Sequence, residues 1–524
     1  MLLARAQNKV ALGCCLAGLV LGGPPPACWA DNMDTMGVTL LRASQPTLTG
    51  AGVPVVQADA MDSDSVPAFE VNYAFLDKPE SLFTWISTNG ATNVFPNALG
   101  LESSHANQVA NCFYGPYAGV APGVAHVDNY EADYFWQYIV ADGGPMSGQV
   151  VNQSFVFLVD TPSQLWIDSA YDDYIATNGA VFCGSVNGLD SGVGPPGTAY
   201  NGIGVGAYGA GAVITDGPTF DNGRSKPDIV APGFETSFTT PYVAGAAAVL
   251  LQAAAAGCGG TNTSEAGDVR TIKALLLNGA LKPFDWTHAT NAPLDTRYGA
   301  GVLNLYYSCQ QLAGGQQGFT SENCVSSGSA HPPVSNGPPA GSMAGWNYES
   351  VNINPLQDTV DHYLFNVCSN STLTATLVWE RQAGMTNINN LALFLYNATN
   401  AALLSCSVSM VDNVQHLYLP HLPPGEYDLE VLTYCANSVS VSETYALAFE
   451  FFAMTPPNLS VSVSGGGAII TWPWSPTVYA LQETSGLNTP NVWTNATAAE
   501  WITNDTVWVG VNTCGNAAYF RLAR

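Results

Sequence analysis

Residues 223–256 read GRSKPDIVAPGFETSFTTPYVAGAAAVLLQAAAA, and the order of residue types in that stretch decides how the rest of the chain is read. A polar turn closes on Pro232 and Gly233, then Thr236, Ser237 and Phe238 lead into an alanine-rich apolar run with the length and composition of a buried helix. Ser237 therefore stands at a helix entrance. There the first backbone N–H groups have no intrahelical acceptor and the dipole is positive, so negative charge forming on an oxygen beside Ser237 would be stabilised. Taken alone, a serine at that place is more often a cap than a nucleophile.

The stretch resembles the nucleophile segment of the subtilisin-like serine peptidases, in which KPDIxAPG leads into GTSxATPxVAG. Residues 226–233 and 236–245 match at nearly every position, and Glu235 stands where that family has glycine. Three more segments resemble the family's other motifs. Residues 50–62, GAGVPVVQADAMD, read as a buried strand over 53–58 that delivers Asp59 at its C-terminal end, where open α/β sheets gather their sites. They resemble GxGVxVAVIDSG, with Gln57 and Ala58 in place of bulkier apolar residues and with Asp62 and Asp64 as nearby carboxylates. Residues 102–114, ESSHANQVANCFY, read as a helix opening at His105 and resemble HGTHVAG; the turn and strand GVAPGVAHV (119–127) follow, as they do in that family. Residues 180–187, AVFCGSVN, resemble a strand ending in AAGN.

The resemblance covers about residues 48–310 and implies a doubly wound parallel sheet between helices. It also implies a catalytic triad of Ser237, His105 and Asp59, with Asn187 and the Ser237 N–H holding the oxyanion. The substrate cleft would be walled by Ser154, Phe155 and Val156 of QVVNQSFVF (149–157) and by Gly184, Ser185 and Val186. Val156 and Val186 fall where the family has glycine, so a small residue is expected before the cleaved bond. A histidine base acts only when neutral, which sets an expected optimum at neutral to alkaline pH. No cofactor is expected; structural calcium is compatible with the family, but no residue set in the sequence locates it.

The 524 residues are 47% hydrophobic, enough for two to four domains and one large core. Arg5 and Lys9 before an apolar run, and small residues ending at Ala30, mark residues 1–30 as a secretory signal peptide, so a secreted or periplasmic product is expected. Residues 31–47 form a lead-in too short for a folding propeptide. The formal net charge is −27, and about −29 without Arg5 and Lys9. That balance argues against nucleic acid and anionic membranes as partners and leaves polypeptides as substrates. Beyond the signal no stretch reaches about 18 uninterrupted apolar residues, so no membrane span is expected. Of the 12 cysteines, nine follow residue 30; Cys309 with Cys324, and two of Cys368, Cys406 and Cys435, are plausible pairs.

The catalytic region is expected to span 48–312, followed by a Gly/Ser/Gln/Pro-rich linker, 313–341. From 342 to 454 seven alternating runs (362–367, 373–380, 391–397, 403–410, 416–421, 427–434 and 444–452) argue a β-sandwich resembling the jelly-roll modules appended to exported subtilisin-like enzymes. A small β module, 455–524, follows with strands over 468–472, 479–483, 506–511 and 518–522. Its Trp472, Trp474, Trp493, Trp501 and Trp508 serve either as core or as a sugar-stacking surface, and a domain this small needs large side chains in its core. Two function classes follow. One is a secreted serine endopeptidase; the other is a catalytically inactive peptidase-like scaffold whose β modules bind cell-surface or polymeric material.

Overall fold

A computed structural model describes residues 3–4, 32–61, 67–93, 95–96, 101–187, 192–209, 212, 217–219, 221, 223–320, 339–353, 359–434, 438–453, 458–464, 467–473, 479–485, 493–496, 500–503, 506–512 and 519–523. The signal-peptide expectation apart from residues 3–4, and Asp62, Asp64, Cys324, Cys435 and Trp474, lie outside them.

The N-terminal region is an α/β layer structure around an eight-stranded sheet. Its strands in chain order are β1 (Pro54–Asp59), β2 (Phe83–Ile86), β3 (Thr92–Asn93), β4 (His126–Glu131), β5 (Val150–Gln153), β6 (Val181–Ser185), β7 (Ile203–Tyr208) and β8 (Ile229–Pro232). They lie in the order β8-β7-β6-β5-β1-β4-β2-β3, parallel throughout except for β3 at the edge. From β1 the chain winds to one side, and from β5 it winds to the other. The topological switch point therefore falls between β1 and β5, and the residues leaving their C-terminal ends, Asp59 and Ser154, share one crevice.

Its helices include α1 (Asn32–Thr35), α2 (Val38–Ser44), α3 (Ser104–Tyr114), α4 (Thr161–Asn178), α5 (Thr236–Ala255), α6 (Val269–Asn278) and α7 (Leu305–Ala313). Helix α5 is long and apolar enough to cross a membrane, yet it is mostly buried; it is the core helix of the region. Its small residues let neighbours approach closely: a Cβ on Gly245 would come within 2.7 Å of Val120. The KPD run has a structural role. Asp228 accepts from Lys226 Nζ at 2.6 Å and from the Gly204 N–H at 2.6 Å, while Lys273 lies 3.4 Å away. Burial alone would raise the Asp228 carboxyl, but the two lysines hold it below its ordinary value. The lead-in is built into this region, with Met36 and Leu41 in its core and Arg42 donating to the Gly119 carbonyl at 2.6 Å.

The sandwich contains β9 (Ala344–Asn352), β10 (Val360–Val367), β11 (Ser371–Trp379), β12 (Leu391–Asn397), β13 (Ala402–Ser407), β14 (Val414–Leu422), β15 (Gly425–Thr433) and β16 (Ser442–Ala453). They form two antiparallel sheets, β9-β16-β11-β14 and β10-β15-β12-β13. The strand β9 is an addition to the seven expected. The first part of the expected linker is tied down: Gln317 N–H donates to the Trp346 carbonyl at 2.7 Å, and Thr320 pairs with His362; residues 321–338 lie outside the described residues. The sandwich packs directly on the α/β region through buried polar contacts. Asn278 Oδ1 accepts from Thr374 and Thr376, both at 3.0 Å, Asp412 accepts from the Ser225 N–H at 2.7 Å, and Asn413 donates to the Tyr200 carbonyl at 2.9 Å.

The last module has a four-stranded and a three-stranded antiparallel sheet. Trp472 belongs to its core with Ile470 and Val509, while Trp493 lies under the Arg521 guanidinium at 4.5 Å. Cys309, Cys368 and Cys406 are free thiols, so the expected pairings are not formed. Cys309 faces the core from α7, whereas Cys368 lies exposed beyond the end of β10.

Candidate active site

Asp59 ends β1, and His105 is the second residue of α3, whose first turn is capped by the Ser103 hydroxyl accepting from the Ala106 N–H. The strand and the helix meet so that Asp59 Oδ1 lies 3.1 Å from His105 Nδ1. Asp59 is 1% exposed and the imidazole 23%, so the ring separates a buried carboxylate from the crevice. With the ionised carboxylate accepting, Nδ1 carries the ring proton and the Nε2 lone pair is left as a base.

The other carboxylate oxygen is held by a residue that the sequence marks only as a departure from the family's apolar pattern. Gln57, on the same strand, donates from Nε2 to Asp59 Oδ2 at 2.6 Å and to the Ala106 carbonyl at 2.9 Å. Its Oε1 accepts from the Tyr114 hydroxyl at 2.7 Å. All four residues from Tyr114 through Gln57 and Asp59 to Ala106 are buried, and burial, then the Asp59 charge, pushes the Tyr114 phenol well above its ordinary range. A signal existed: a glutamine inside an otherwise apolar buried strand must find partners there.

Ser237 is the second residue of α5. Pro241 lacks the N–H that would bond the Ser237 carbonyl four residues back, and that acceptor is taken instead by the Ser154 hydroxyl at 2.7 Å. In return Ser237 Oγ donates to the Ser154 carbonyl at 3.4 Å. The helix entrance is thus fastened to the end of β5. It is fastened to the end of β6 as well, because Thr236 Oγ1 donates to the Asn187 carbonyl and Ser185 Oγ lies 3.0 Å from Thr240 Oγ1. Phe238, the residue after the serine, brings its ring within 5.7 Å of the His105 ring. Glu235, just before the helix, has a buried carboxylate oxygen, Oε2, with no hydrogen-bond partner among the described residues.

Asp59 and His105 are therefore in contact, and Ser237, Ser154 and Asn187 meet at the helix entrance beside them. No hydrogen bond joins His105 to Ser237 among the described residues. Val186 is fully buried, and its Cγ1 fills the space left by Gly197 and Gly204, where an added Cβ would lie 2.7 Å away. Phe155 packs edge-on to Phe157 at 5.6 Å, and Val156 is buried beside it. Gly184 lies under the segment through Pro196 and Gly197. A base on a buried carboxylate, a hydroxyl at the positive end of a helix and an asparagine at a neighbouring strand end are the parts that acyl transfer requires. No cluster able to hold a metal lies in this crevice among the described residues.

Residues 145–301 match the family model described as the subtilase family. No curated protein matches the chain. Among solved structures, a prenylagaramide maturation protease is 20% identical, with a TM-score of 0.37, over 53% of this chain and 98% of that one. Tripeptidyl peptidase 2 is 11% identical, with a TM-score of 0.30, over 83% of this chain and 54% of that one. The pre-peptidase C-terminal domain of a collagenase from Bacillus anthracis is 19% identical, with a TM-score of 0.17, over 21% of this chain and 90% of that one.

Proposed function

We propose that the chain, whose match to the subtilase family runs over residues 145–301, is a secreted serine endopeptidase of the subtilisin-like kind. The observation that carries this reading is the contact of Asp59 Oδ1 with His105 Nδ1 at 3.1 Å, beside the entrance of the helix that bears Ser237. Ser237 Oγ attacks the scissile carbonyl while His105 Nε2 takes its proton. Asp59 holds the ring in the tautomer that leaves Nε2 free and stabilises the imidazolium as it forms. Charge moving onto the carbonyl oxygen is met by the Ser237 N–H at the helix entrance and by the Asn187 side chain. The imidazolium then protonates the leaving amine, and water repeats the cycle on the acyl-enzyme.

For the proton to pass, the Ser237 hydroxyl turns from the Ser154 carbonyl, a 3.4 Å contact that gives it little hold. That same contact is what favours the second reading, a peptidase-like scaffold that binds without cleaving. A serine-directed phosphonate separates the two. Stoichiometric labelling of the wild type, absent in Ser237→Ala, is expected. An unlabelled wild type that also leaves an unfolded protein uncut gives the molecule to the scaffold reading.

A further inference from the structure

A second cluster of chemically capable side chains lies outside the crevice, on the sheet β10-β15-β12-β13. In the register of β10 with β15, His362 stands opposite Glu430 and Leu364 opposite Asp428. Tyr363, Phe365, Leu429 and Val431 point into the sandwich core, so the alternation of strand side chains puts His362, Asp428 and Glu430 together on the other face. All three are fully buried. His362 Nδ1 is 2.8 Å from Asp428 Oδ2 and 3.5 Å from Glu430 Oε1, and one ligand atom of each residue lies within 4.8 Å of the others.

Hydrogen bonding leaves this cluster incomplete. Neither oxygen of Glu430 has a hydrogen-bond partner among the described residues, and neither has His362 Nε2. Glu430 also has no lysine or arginine partner among them. A buried carboxylate without a donor or a cation is a charge awaiting compensation. We propose that His362, Asp428 and Glu430 form a buried site for one divalent transition-metal cation of the zinc or manganese class. Donor atoms about 2.1 Å from a shared ion lie roughly 3.0–3.4 Å from one another. The separations here reach that spacing by small side-chain rotations. An imidazole among the ligands selects such an ion over calcium, which takes oxygen ligands. The Thr320 backbone pairs in both directions with His362, at 2.8 and 3.1 Å. The ion would therefore brace the sandwich where the chain enters it, a structural task suited to a site closed to solvent.

The test uses the full chain, stripped with a chelator and titrated with Co²⁺. Uptake of about one equivalent, with visible ligand-field absorption, is expected, as is a rise in Tm on adding Zn²⁺ or Mn²⁺. Glu430→Gln keeps the shape and removes the charge; it should weaken Co²⁺ binding on the order of 100-fold or more. Asp428→Asn is the second variant should the first not fold. A wild type that takes up no Co²⁺ and shows no change in Tm overturns the proposal, and so does uptake that folded Glu430→Gln matches.

Discussion

Asp59 Oδ1 lies 3.1 Å from Nδ1 of His105, and this contact joins a strand end to a helix start. In the proposed mechanism its value is tautomeric. An asparagine at position 59 can present N–H to the ring and force the proton onto Nε2, which removes the base. Asp59→Asn should then lower kcat on a peptide substrate by roughly 10³- to 10⁴-fold, with KM little changed. A loss of less than about tenfold would mean that Asp59 does not orient the ring.

Gln57 fixes the other oxygen of that carboxylate. The double variant Gln57→Leu with Tyr114→Phe removes the buried amide together with the hydroxyl that donates to it, and leaves Asp59 Oδ2 without the Gln57 donor. It should fold, lose about tenfold in kcat through misorientation of Asp59, and move the acidic limb of kcat/KM to higher pH as Asp59 loses a donor. Unchanged kcat and an unmoved limb would make the pair purely structural.

Asn187 is fastened through its own carbonyl to Thr236, next to the nucleophile. If its side chain meets the oxyanion, Asn187→Ala should cost about 10²- to 10³-fold in kcat at nearly constant KM. A rise in KM alone would assign Asn187 to ground-state binding instead.

Stability should depend on pH through buried carboxyls of the sandwich. Glu443 is raised to about 7 by burial, against hydrogen bonds from Asn389 and Gln382 at 2.6 and 2.9 Å. Its folded form holds a proton that the unfolded chain has already released, so stability falls as pH rises from about 4.5 to about 7 and stays lower above that. Glu443→Gln should therefore stabilise the protein at pH 8, on the order of 1–3 kcal/mol, and have little effect near pH 4.5. Denaturant midpoints at the two pH values check this; an equal shift at both would rule out the titration.

The contact of Asn278 with Thr374 and Thr376 joins the α/β region to the sandwich. Asn278→Ala leaves two buried hydroxyls without their acceptor and should cost roughly 1–3 kcal/mol. The wild type is expected to unfold in one calorimetric transition, which this variant should resolve toward two, one for each region. A wild type already showing two independent transitions would contradict the coupling.

Much of the molecule was legible in the residues because the signals are local. The strand that ends at Asp59, the helix that opens at His105 and the helix entrance at Ser237 each follow from a dozen consecutive residues whose apolar spacing and caps set backbone conformation. The alternating strands of the sandwich were equally plain, since a period of two shows within one strand. Even the order of the four motifs in the resemblance was a property of the sequence alone.

Tertiary structure decided what depends on residues distant in sequence meeting side chain to side chain. Tyr114 reaches Gln57 across 57 positions, and Ser154 reaches the Ser237 carbonyl across 83; no local period records either pairing. Val186 was expected in the wall of a pocket, and which glycines its methyl packs against, Gly197 and Gly204, is set by the fold. Of the thiols expected to pair, Cys309 is free in a helical core and Cys368 is free beyond a strand end. The docking of the sandwich on α6, and the meeting of His362 with Asp428 and Glu430, likewise arise only when strands pair in register. Backbone conformation is chosen by short-range sterics and burial pattern, whereas the partners of a buried polar group are chosen by whatever the fold brings within hydrogen-bonding distance.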